Sequence, residues 1–181
     1  KPFLVFSLYA AICTLSLTVL SWHQPKDIRE TTALKAAEAY SQSVSAMRSF
    51  YSRHVVPRAQ IAGATVSHDY KASETTIPSP ATLTIELANE LRESNSTFSF
   101  NFYSNEPFPS RSTRVFEKFE IEALGVLNSK STEKFVRYEN NKGQRSVRIA
   151  YPVIIGETCV ACHNSHPPSP RTDWKVGDIR G

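Results

Sequence analysis

Cys159-Val160-Ala161-Cys162-His163 is the stretch on which the reading of this chain turns. C-x-x-C-H is the attachment signature of c-type haem: each thiol forms a thioether to a haem vinyl group, and the adjacent histidine turns its imidazole onto the iron as proximal ligand. Plainer readings of a cysteine pair are a disulfide, a redox couple and half of a zinc site. Zinc asks for two more ligands, and the chain has no second cysteine pair. His166 can join Cys159, Cys162 and His163, but four ligands so close in sequence leave little backbone slack for a tetrahedron. A thioredoxin-like site wants a Trp-Cys approach between strand and helix, which is missing here. The expected cofactor is covalent haem c with its iron, and the expected site residues are Cys159, Cys162 and His163.

Working outward, covalent haem attachment takes place outside the cytoplasm in bacteria, so an export segment is expected. Phe3 to Trp22 reads FLVFSLYAAICTLSLTVLSW without a charged residue. That run matches the roughly 20 residues needed to cross a bilayer core. Lys1 precedes it, and Trp22 stands where an interfacial aromatic belt lies. A cleaved signal peptide has a shorter apolar region ending in an A-x-A-like site, absent before Lys26. The reading is an uncleaved single-pass anchor over 1–24 in the cytoplasmic membrane, with a periplasmic or otherwise extracytoplasmic domain over 25–181. A start at Lys1 rather than Met suggests a short cytoplasmic leader ahead of it.

Composition limits the alternatives. The chain has 181 residues and a net charge of +4. Less the anchor, that suffices for one globular domain with its own core. Its basic residues are scattered, so nucleic acid is not an expected partner. Of three cysteines, Cys13 lies in the apolar span and reads as a passive residue there, which leaves none for a structural disulfide. The Asn95-Ser96-Thr97 sequon has meaning only in a eukaryotic secretory pathway.

The pattern after the anchor alternates helix and strand. Pro25 opens a long helix that Pro57 is expected to end at Val56. Ala33, Ala37, Tyr40, Val44, Met47, Tyr51 and His54 form one stripe, which faces either the domain core or a second copy of the helix. A loop through Gly63 and Tyr70 leads to Ser79 and Pro80, which cap and open a helix buried through Leu83, Leu87 and Leu91. Phe98, Phe100 and Phe102 alternate as a half-buried strand does. Helical spacing returns over 113–127. Lys134–Tyr138 and Ser146–Val153 read as a hairpin around Asn140-Asn141-Lys142-Gly143, running directly into the haem motif. The polar, proline-rich tail after Asn164 ends without a capping element, and an edge strand is expected beyond Gly181. The fold class is α+β.

The longer pattern carries a family resemblance. Ile77-Pro78-Ser79-Pro80-Ala81-Thr82-Leu83, Arg137-Tyr138 with its hairpin, Cys159 to Pro167, and Thr172-Asp173-Trp174-Lys175-Val176-Gly177-Asp178 together resemble the single-haem, PAS-like c-type cytochrome sensor domain. That family commonly sits outside the membrane in front of nucleotide cyclases and histidine kinases. The resemblance implies a PAS-like antiparallel sheet with a long N-terminal helix, attachment through Cys159 and Cys162, and His163 as proximal ligand.

Two functions stay open on this reading. In the first, a sensor detects haem redox state or a diatomic ligand and signals through the N-terminal helix, as a homodimer joined along it, to an output domain such as a cyclase or kinase. In the second, a membrane-tethered cytochrome passes electrons to a redox partner. Neither makes this domain an enzyme: it has no G-x-S-x-G, H-E-x-x-H or phosphate-binding glycine loop. Candidates for the sixth iron position are His54, preferred for its strong imidazole donor, then His68 and Met47, with an open position as the fourth choice. His166 suits a bond to a haem propionate or to backbone. Arg171, Lys175 and Arg180 suit propionates or plain solvation. Trp174 either packs on the haem edge or closes the core.

Overall fold

Pro57 should end the long helix, and the chain instead passes it. The computed structural model describes residues 2–23, 25–94, 96–129, 133–141 and 143–181. Helix α1 (Pro2–His23) is followed by α2 (Pro25–Phe50), a π-helical turn (Tyr51–Val55) and α3 (Val56–Ile61). Proline has no N–H to donate and its ring crowds the carbonyl one turn back. The π turn removes both conflicts: Val56 N–H reaches the Tyr51 carbonyl, and Pro57 falls in the first turn of α3, where a missing N–H costs nothing. The extra residue rotates α3 by roughly 100° about the axis. The stripe accordingly breaks: Val44, Met47 and Tyr51 are half-buried, whereas His54 is exposed rather than inward-facing.

Much of α1 presents large apolar side chains to the outside, Phe3 and Phe6 being 87% and 79% exposed. Among the described residues no helix is long and apolar enough to cross a membrane. The side chains of Leu4 and Trp22 lie outside the described residues. The aromatic-belt reading of Trp22 and the position of Lys1 likewise fall outside the described residues.

The loop after α3 contains two short strands, β1 (Thr65–Ser67) and β2 (Thr76–Pro78), paired in parallel. Ser79 caps α4 (Pro80–Glu93) by accepting the Thr82 N–H, as its sequence predicts. The deepest face of α4 is Thr82, Thr84 and Ala88, not the leucine row, whose members are half-buried. Thr84 can be buried because its hydroxyl returns to the Pro80 carbonyl at 2.8 Å, and Thr82 because it accepts from Arg111 at 2.8 Å.

Helix α5 (Lys118–Ser129) buries Phe119, Ala123, Leu124 and Leu127. The hairpin β3 (Phe135–Asn141) and β4 (Gln144–Ala150) pairs Asn141 with Gln144, and Gly143 supplies the positive φ its turn requires. Lys142 lies outside the described residues. Arg148 lies 4.3 Å over the Phe119 ring, and Arg145 pairs with Glu30 at 2.7 Å, so the hairpin is tied to α5 and to α2.

The single PAS-like antiparallel sheet expected from the resemblance is not present among the described residues; the strands form two separate pairs. Phe98–Phe102 carries no ladder among the described residues. Its aromatics dock on α2 instead, Phe98 stacked 4.2 Å from Tyr40 and Phe102 beneath Arg48 at 4.9 Å. Beneath that segment Glu120, 1% exposed, accepts from Arg114 at 2.6 Å, Asn101 at 3.1 Å and the Glu117 N–H at 3.0 Å. Burial raises its pKa, but these donors outweigh burial and hold the carboxylate below its ordinary range. The tail is not loose either. Val153 and Arg180 bond across to Gly181 and Val153, both at 2.7 Å, and Ile155 N–H bonds Asp178 at 2.9 Å. This tail, not strand β4, fixes the approach to the haem motif. The class is α+β with small sheets.

Candidate haem-attachment site

Helix α6 (Glu157–Ser165) carries the whole motif. Cys159 and Cys162 are three residues apart and so lie on one face, one turn from each other. Both are free thiols, Cys159 half-buried and Cys162 exposed. Burial first, and Cys159 second, push the Cys162 thiol above its ordinary pKa. Arg48 of α2 stands in the field of Cys159: burial lowers the pKa of its guanidinium and Cys159 raises it. The π turn packs against α6.

His163 is walled by aromatic and cationic groups. Its ring lies 5.5 Å from Phe108 and 6.2 Å, edge-on, from Trp174. Burial, Arg180 and His166 push its pKa down to about 4, so the imidazole is neutral at pH 7, the form that ligates iron. Its Nδ1 is buried without a hydrogen-bond partner among the described residues. His166 closes α6 through its backbone N–H to the Cys162 carbonyl, and its exposed ring packs edge-on to Phe108.

Trp174 is 3% exposed and closes the core. Asn164, next to His163, bonds both the N–H and the carbonyl of Trp174. The basic candidates divide: Arg171 is held by Asp173 at 2.5 Å and Asp178 at 2.9 Å, Lys175 is exposed, and Arg180 is buried. Sequence reasoning passed over Phe108 and Arg48, because neither a Pro-Phe-Pro loop nor an arginine on a solvated helix signals proximity to a motif far away in the chain.

The donor set suits haem. Among the described residues no three His, Cys, Asp or Glu side chains converge as a chelated ion would require. A haem brings its own four nitrogens and asks of the protein two thiols a turn apart and one neutral imidazole. His54 and Met47 sit on the long helix, and His68 is exposed after β1. His54 lines an open depression of about 530 Å³ with Phe50, Val55, Arg58 and Ala59.

Residues 26–181 match the family model Tll0287-like. The chain belongs to the Tll0287-like family. That family is a c-type cytochrome-like domain, in agreement with the motif on α6. The match takes in every element from α2 to the tail, so the Tll0287-like domain includes the π turn and Trp174 as well as the two cysteines. No curated protein and no solved structure matches the chain.

Proposed function

We propose that this Tll0287-like chain is a single-haem sensor domain, of the PAS-like kind its sequence resembles, in a membrane-anchored signalling protein. The observation that carries the reading is one helix, α6, that presents two free thiols a turn apart beside a neutral histidine. Cys159 and Cys162 would hold the haem, the S and H of each thiol adding across one vinyl C=C so that nothing leaves, and the His163 imidazole would hold its iron. Bound there, the haem would supply a redox-active iron. Phe108 and Trp174 hold the His163 ring in place and keep water from its buried edge.

Packing of the π turn on α6 favours sensing over electron carriage. π turns inside helices recur at functional sites, and this one joins the attachment helix to α2 and so to the uncharged α1. A change at the iron that shifts α6 thereby reaches the N-terminal helices directly. In this reading α1 crosses the cytoplasmic membrane, the haem domain is periplasmic, α2 pairs with its copy in a homodimer, and any catalysis belongs to an output domain. His54 is the proposed sixth ligand, because it belongs to the π turn that packs on α6; His68 and Met47 rank after it. The exposure of Ala161 and Cys162 favours the second reading, a tethered electron carrier, since electron exchange needs an accessible edge.

The test is the output of the full-length parent with oxidised, reduced and carbon monoxide-treated haem. A change in activity or conformation between these states supports the sensor. Equal output in all three, with rapid electron exchange with a redox partner, establishes the carrier instead.

A further inference from the structure

Arg180 is a buried cation without an ion-pair partner among the described residues. It is 9% exposed, and among the described residues no carboxylate lies within ion-pair distance of it. Its guanidinium lies between the Phe108 ring at 5.5 Å and the Trp174 ring at 5.0 Å and donates to Ser104 Oγ. Among the described residues its Nε has no hydrogen-bond partner, and neither has the indole Nε1 of Trp174. A desolvated guanidinium is costly unless an anion pairs with it, and a buried donor left unbonded gives up its hydrogen bond to water with nothing in return.

Both side chains line one cavity of about 210 Å³, together with Ser104, Glu106 and Arg171. That volume is several times the ~30 Å³ share of a water molecule. Arg171 is already paired with Asp173 and Asp178, so Arg180 is the guanidinium on the wall with no ion-pair partner among the described residues, and Glu106 offsets its charge only from a distance. Glu106 on the wall disfavours a dianion. One negative charge with two acceptor oxygens answers one free guanidinium edge and one indole N–H.

We propose that this cavity is a carboxylate-binding subsite, with Arg180 and the Trp174 indole N–H as its donors. The carboxylate is either a propionate of the domain's own haem, which rests on haem attachment at α6, or a free small organic acid. Trp174 also packs on His163, so the bound carboxylate sits one side chain away from the proximal ligand.

The experiment uses the purified haem-loaded chain with Arg180→Met, Arg180→Lys and Trp174→Phe, each checked for folding by circular dichroism. Resonance Raman spectroscopy reads the propionate bending band. A titration with acetate, followed by the NMR signal of the Trp174 indole N–H, reads a free acid. A propionate band displaced in Arg180→Met and Trp174→Phe but largely restored in Arg180→Lys assigns the site to the haem. A saturable acetate response, at least tenfold weaker in Arg180→Met, assigns it to a free acid. If neither signal responds in folded protein, the proposal is overturned. Should a pyridine haemochrome assay find no covalent haem, the haem reading fails by itself and the acetate titration alone decides the subsite.

Discussion

Asn164 and Trp174 hold each other by two reciprocal hydrogen bonds. The Trp174 N–H donates to Asn164 Oδ1 at 2.9 Å, and Asn164 Nδ2 donates to the Trp174 carbonyl at 3.0 Å. A side-chain amide thus imitates a strand partner and clamps the tail against the residue beside His163. Asn164→Ala leaves both backbone groups of a buried residue unpaired. A loss of about 2–4 kcal/mol is expected. Urea unfolding measures it, and in a Trp22→Phe background the fluorescence of Trp174 should shift to the red. Unchanged stability and emission would mean that the clamp does not hold the tail.

Glu120 joins the Phe98–Phe102 region to α5, and its folded-state pKa is depressed. A depressed carboxylate contributes stability that is present above its unfolded value near 4.3 and is lost as pH falls through the folded value. Glu120→Ala strands Arg114 and Asn101 and should cost about 3–5 kcal/mol at pH 7. Urea midpoints taken between pH 7 and pH 3 should fall steeply in the native chain and less steeply in the variant. Equal slopes would show that another group governs the acid limb.

His54→Ala tests the sixth ligand. A six-coordinate low-spin spectrum should become high-spin, with stronger carbon monoxide binding. An unchanged Soret band passes the role to His68 and then to Met47.

Deleting Ser52 removes the extra residue of the π turn. The long helix should then run as a regular α-helix up to Pro57, turning α2 by roughly 100° relative to α6. The pigment should remain while the parent's response to haem redox state is lost or inverted. A normal response in that variant would exclude coupling through this helix.

Several of these features can be read from local chemistry. Ser79 before Pro80 announces a cap, Asn141 and Gly143 a tight hairpin, and Phe119, Ala123 and Leu127 a buried helix face. Each signal is complete within a few residues. Those that misled depend on distant partners. Phe98, Phe100 and Phe102 alternate like a strand, yet their partners are side chains of α2 rather than another backbone. Pro57 reads as a stop because a π turn has no sequence period of its own. β1 and β2 hold three residues each, too few to show alternation. The buried role of Arg180 could not be read from a polar tail, because it arises only when that tail pairs with Val153.

Covalent haem is the central claim, and a pyridine haemochrome spectrum taken before and after extraction with acidified organic solvent tests it most directly. The purified chain, matured in a host with haem-attachment machinery, should give a c-type spectrum, keep its colour in the protein fraction, and lose it in a Cys159→Ala, Cys162→Ala double variant. A pigment that moves wholly into the solvent, or a protein holding zinc and no haem, would contradict the account.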